Sequence, residues 1–153
     1  MFILLALLMG VVAGLRSLIA PTAVAWAAFS GRFDLGQTPM AFMAFRFTPL
    51  VFSVLALVEL FVDKLPSTPS RKVPTGFGAR IVLGGLSGAS IGAAEGSLVG
   101  GLIAGLIGAV IGTFAGSIAR AKMALAFGHD RPAALVEDAF AIVGALLIIL
   151  VVH

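Results

Sequence analysis

From Phe2 to Phe29 the chain carries one charged residue, Arg16, and uncharged runs recur over Ile81–Ala94, Leu98–Ala119 and Ala139–Val152. Runs like these leave few folds open. A helix needs about 20 mostly apolar residues to cross the hydrocarbon core of a bilayer. The runs do not alternate apolar and polar residues in period two, so helices are indicated and barrel strands are not. Composition points the same way: 11% of the 153 residues are charged and 60% hydrophobic, with a mean hydropathy of +1.16. A soluble domain carries about a quarter charged residues. Too few charges remain here to cover a water-facing surface, and in lipid every backbone polar group must find an internal partner. The chain reads as an all-α, polytopic integral membrane protein, a single transmembrane domain over residues 1–153.

The same inventory excludes several functions. The absence of cysteine removes disulfides, thiolate metal sites and cysteine nucleophiles. His129 and His153 lie near segment ends and form no clustered metal motif. A net charge of +3 is too small and dispersed for nucleic-acid binding. No GxSxG, HExxH or Walker loop is present, and no cofactor or enzymatic activity is expected.

Five spans are expected, at about 2–29, 41–65, 78–95, 97–119 and 132–152. The first lacks a basic leader and continues past Gly14, so it reads as a retained span. Arg16 falls near its middle, where insertion costs roughly 2.5–3.5 kcal/mol, so it should face protein or a water-filled cavity. Pro21 can kink this helix. Thr48-Pro49 looks like an N-cap followed by proline at the first helical position. Over residues 40–47 an interfacial stub or a kinked extension is expected. Gly84, Gly88, Gly92 and Gly96 recur every four residues, and Gly101, Gly105, Gly108, Gly112 and Gly116 nearly so. Such rows lie along one helix face and let backbones approach closely, a glycine zipper within the chain or between subunits. Glu95-Gly96-Ser97 is the natural turn between two such helices, although residues 81–94 are short enough to be re-entrant.

Charge sets the orientation. With five spans, Lys64, Arg71, Lys72 and Arg80 share a side with Arg120, Lys122 and Arg131, whereas Arg32 and Glu95 fall opposite. The positive-inside rule then places the N-terminus in the cytoplasm and the C-terminus outside, in a cytoplasmic (inner) membrane.

That topology brings four carboxylates to one depth: Glu59 and Asp63, which share a helix face, and Glu137 and Asp138 near the start of the last span. Intramembrane ionisable residues are functional candidates by default, and Arg16 and Arg80 are the partners expected for them. Clustered carboxylates in low dielectric can carry protons or coordinate a hard cation. They can equally form structural ion pairs with Arg16, Arg80 and Lys64. Lys64, Arg71 and Lys72 are candidates for an anionic headgroup or phosphate, although topology alone accounts for a basic loop.

GLRSLIAPTAVAWAA (14–28), LVELFVDKLPSTPSR (57–71), ARIVLGGLSGASIG (79–92) and RPAALVEDAFAIVGALLI (131–148) together resemble the family of small membrane proteins catalogued as domain-of-unknown-function family 4126. The resemblance implies an integral membrane protein, of bacterial type, and no particular activity. The residues themselves point first to a small transporter or channel-like protein, a homo-oligomer because few short helices enclose little cavity. Arg16, Glu59, Asp63, Arg80, Glu137 and Asp138 would bind an ion, a proton or a small charged substrate. The alternatives are a non-transporting scaffold or accessory subunit, and an anionic-lipid or lipid-phosphate handling protein.

Overall fold

Prolines and glycines punctuate the helices. The computed structural model describes residues 1–65 and 73–152, and its elements are six α-helices and a short 3-10 turn. In chain order they are α1 (Phe2–Leu15), α2 (Ile19–Phe29), the 3-10 turn Ala41–Ala44, α3 (Thr48–Val62), α4 (Pro74–Ala94), α5 (Leu98–Phe127) and α6 (Asp130–Val151). Pro49, Pro74 and Pro132 each sit in a first turn, where a missing N–H breaks no helical bond. Gly96 turns α4 into α5 at φ 72°, a conformation that disfavours a side chain. α4, α5 and α6 are long and apolar enough to cross a membrane, whereas α1, α2 and α3 are shorter apolar helices. The protein is therefore an all-α membrane protein.

The stretch 2–29, expected as one span, is two helices. Arg16 leaves α1 with extended backbone (φ −139°, ψ 110°) and α2 begins at Ile19. Pro21 is the physical cause. It has no N–H for the carbonyl of Ser17, four residues back, and its ring crowds that carbonyl. The expected kink is thus a full interruption one turn before the proline.

The two halves reverse direction. α1 runs antiparallel to α6, because Arg16 meets Asp138 and Val12 packs against Gly144. α2 runs antiparallel to α3, with Ser17 against Glu59 and Trp26 against Ser53. α3 is antiparallel to α6: Lys64 reaches Asp138 at one end, while Ser53 and Ile149 line a common groove toward the other. α1 and α2 therefore form a helical hairpin with its tip at Arg16–Leu18. The start of α1, the end of α2 and Val152 lie at one end of the bundle. Met1 and Val152 are thus at the same end of the bundle, whereas the sequence reads with its N-terminus and C-terminus on opposite sides of a membrane.

Other boundaries shift for local reasons. Thr48 does not cap α3; its hydroxyl donates to the carbonyl of Phe42 at 2.6 Å, which ties the 3-10 turn to the helix start. α5 continues to Phe127, past the expected end at 119, because no breaker intervenes before Gly128, whose φ is 73°. α4 starts at Pro74 and α6 at Asp130, each earlier than expected.

Packing is closest among α1, α4 and α5. On α5, Gly101 and Gly105 face Gly88 and Gly84 of α4, and Gly108 and Gly112 face Leu7, Gly10 and Val11 of α1. A Cβ on any of these α5 glycines would land on a neighbouring backbone carbonyl. The glycine rows are thus used inside the chain, on two faces of α5. Gly105→Leu should overpack this contact, where only backbone could yield, and cost at least the roughly 1–3 kcal/mol typical of overpacking. Gly78→Ala, on α4 with nothing near its Cβ, should instead raise stability by about 0.5–1 kcal/mol. Equilibrium unfolding of the detergent-solubilised protein checks both; equal effects would contradict the packing.

Candidate functional site

An interrupted helix exposes unpaired carbonyls at the end of its first half and unpaired N–H groups at the start of its second. Two charged side chains meet them here. The Glu59 carboxylate, near the end of α3, accepts from the backbone N–H groups of Ser17 and Leu18, each at 2.9 Å, and from the Ser17 hydroxyl at 2.5 Å. Arg80, in the second turn of α4, donates through Nη1 to the carbonyls of Gly14 and Leu15, each at 2.9 Å. Each charge also has the sign that its helix end favours: an anion at the positive N-terminus of α2, a cation at the negative C-terminus of α1. Arg80, expected as a partner for the carboxylates, thus meets helix-end carbonyls. Glu59 serves the backbone and not a shared carboxylate site.

A second set of charges gathers around Arg16. Its side chain is 0% exposed and points from the hairpin tip toward α3 and α6. Nη1 is paired with Asp63. Nε donates to Asp138 at 2.5 Å, and Nη2 lies 2.5 Å from the same carboxylate oxygen and 3.9 Å from Glu137. Lys64 joins from the end of α3, with Nζ 2.7 Å from Asp138 and 2.8 Å from the carbonyl of Leu60. Arg120 of α5 lies 3.5 Å from Glu137 and forms a two-pronged pair with the exposed Asp130, at 2.9 and 2.6 Å.

The carboxylates predicted to share one depth are thus brought to one end of the bundle, but not as one shared site. Asp63 and Asp138 both bind Arg16, Glu137 lies between Arg16 and Arg120, and Glu59 stands apart on the hairpin tip. Among the described residues, no group of three or more His, Cys, Asp or Glu side chains is arranged to hold a metal ion. Lys64 also borders a pocket of about 530 Å³ with His129, Asp130 and Arg131. Arg71 and Lys72 lie outside the described residues.

Two participants were missed. Arg120 was counted only as a topology charge, yet it and Glu137 stand equally far on either side of the Gly128–His129 turn, the mark of facing positions in an antiparallel helix pair. Ser17 was passed over, although a serine beside an arginine one turn before a proline is a natural place for a broken helix to recruit a hydroxyl. Comparison with protein-family models, curated proteins and solved structures returns no match for the chain.

Removing one member of a buried pair leaves its partners unpaired, at about 3–5 kcal/mol. Arg16→Met should therefore destabilise the protein by that amount, and adding Asp63→Asn and Asp138→Asn should recover most of it. Thermal unfolding in detergent tests this, and a neutral Arg16→Met would contradict the burial and pairing described.

Proposed function

We propose that the protein is a small transporter or channel-like protein of the cytoplasmic membrane that moves protons through the carboxylates around Arg16. The observation that carries the reading is the full burial of Arg16 among Asp63, Asp138 and Glu137, at a helix interruption whose backbone is already satisfied by Glu59 and Arg80. Two charges are enough to close the break. The other six, Arg16, Lys64, Arg120, Asp63, Glu137 and Asp138, are not needed for that purpose. Buried ion pairs are poor stabilisers relative to apolar packing, so retaining six charges together at one end of a small bundle favours a role in charge movement. Interrupted helices at ion sites are a recurring device of transporters.

In this reading the membrane arrangement also changes. At about 1.5 Å per residue, α1 is about 21 Å long, short of the roughly 30 Å hydrocarbon core. The α1–α2 hairpin is then re-entrant, entering and leaving at the outer face, and α4, α5 and α6 cross, in place of five full spans. α3, also short at about 22 Å, must cross too, because α2 ends at the outer face and α4 begins at the opposite one. The basic end, with Lys64, Arg80, Arg120, Lys122 and Arg131, faces the cytoplasm, and both termini face outward. The glycine rows act as a zipper that holds the hairpin against α4 and α5. Homo-oligomerisation would use the outer face of α3, where Leu50, Val54 and Phe61 are exposed. The resemblance to family 4126 implies a membrane protein and adds no activity to this reading.

The second reading is a scaffold or accessory subunit. It is favoured by the pairing of the cluster, in which Asp63, Asp130, Glu137 and Asp138 each face a cation. Liposomes carrying an internal pH dye and an imposed potential separate the two. Wild type should dissipate the gradient faster than empty liposomes, and Asp63→Asn should lower that rate at least tenfold with folding and insertion retained. A wild-type rate equal to that of empty liposomes would leave the scaffold.

A further inference from the structure

α2 lies between α3 and α6, and the three helices line a groove. The groove has a volume of about 680 Å³, within the roughly 300–1,000 Å³ of small-molecule sites. Leu57 and Leu60 of α3, Ile142 and Leu146 of α6, and Ala23 and Ala27 of α2 make its walls and floor. None of its lining residues belongs to the charged cluster.

Its polar groups are almost all satisfied from within. The Trp26 indole donates to the Ser53 hydroxyl at 2.9 Å, and Ser53 donates in turn to the carbonyl of Pro49. Thr22 and Ser30 donate to the carbonyls of Leu18 and Ala27 in their own helix. The exception is Arg32, just past the end of α2. It lines the mouth and is exposed; its backbone N–H donates to the carbonyl of Ala27, while its guanidinium makes no hydrogen bond or ion pair among the described residues. Asp34, the nearest acidic residue in sequence, accepts instead from the N–H of Gly36 at 2.7 Å.

A trough that asks nothing polar of its occupant, with one unmatched cation at its mouth, matches an amphiphile with a long apolar tail and an anionic head. The groove follows α2 from Ile19 to Ser30, about 16 Å at 1.5 Å per residue, and its mouth lies with the polar loop at the end of the bundle that holds both termini. We propose that it binds an anionic phospholipid of the bilayer, with an acyl chain along α2 and the phosphate on Arg32. Exposed apolar surface in a membrane protein meets lipid in any case. What the groove adds is selection of one headgroup class at a fixed place.

Trp26 is the single tryptophan of the chain and lines the groove, so its fluorescence reports occupancy directly. The protein is reconstituted in mixed bilayers with brominated-chain phosphatidylglycerol or, separately, phosphatidylcholine with the same chains. Quenching should reach its half-point at a several-fold lower mole fraction of the phosphatidylglycerol. Arg32→Ala, at an exposed loop position, should make the two lipids equal, and Arg32→Lys should restore the preference. Leu57→Phe with Leu146→Phe, at exposed positions on the walls, should narrow the groove and weaken quenching by both lipids. Equal quenching in wild type, a preference that survives Arg32→Ala, or quenching indifferent to the narrowed groove would each overturn the proposal.

Discussion

A helix interrupted inside an apolar bundle leaves carbonyls and N–H groups that lipid cannot satisfy, and the rest of this structure follows from how they are met. Glu59 closes one side of the interruption and Arg80 the other. An unsatisfied backbone group in hydrocarbon costs several kcal/mol, so neither residue is optional once Pro21 has broken the helix. They also fix where things lie. Glu59 sets the height of α3 against α2, and Arg80 sets the height of α4 against α1. The hairpin tip is thereby held at the level where α6 presents Asp138, and Arg16 has one direction in which to point.

Glycine packing makes that arrangement reachable. Arg80 can touch the end of α1 only because α1 and α4 both lie close against α5 along its glycine faces. With larger residues the three axes would separate and the carbonyls of Gly14 and Leu15 would move out of reach. The two signals that stood apart in the sequence, glycine rows and scattered charges, are therefore parts of one device. Close backbone approach brings rigid helix ends together, and charges stitch the ends. Around Arg16 the outcome differs in kind. Its partners are carboxylates and not backbone, so the pairs can rearrange without unmaking a helix.

Much of this was legible from residue order. The class followed from the length of the uncharged runs, and Glu95-Gly96-Ser97, read as a turn, does separate α4 from α5, whereas Pro74, left outside the expected span at 78–95, opens α4. The gathering of Glu59, Asp63, Glu137 and Asp138 at one end was also legible, since it depends only on which helix ends are neighbours. The hairpin was not. A run from Phe2 to Phe29 with no turn-like tripeptide reads as one span by hydropathy, which cannot distinguish a helix that continues from one that folds back. The reversal depends on Glu59 and Arg80, distant in sequence, supplying what the broken backbone lacks. For the same reason the roles of Glu59 and Arg80 could not be separated from those of Asp63 and Asp138: in sequence all are charges at similar depth, and only the geometry says which meet backbone.

The reversal at Arg16–Leu18 is the claim on which the others depend, and the absence of cysteine makes it directly testable. Single cysteines at Phe2, Ser30, Glu95 and His129 would be labelled in intact cells or sealed vesicles with a membrane-impermeant maleimide. The hairpin predicts that Phe2→Cys, Ser30→Cys and Glu95→Cys react from one side and His129→Cys from the other. Labelling of Phe2→Cys with His129→Cys, opposite Ser30→Cys, would mean that residues 2–29 cross the membrane once, and would contradict it.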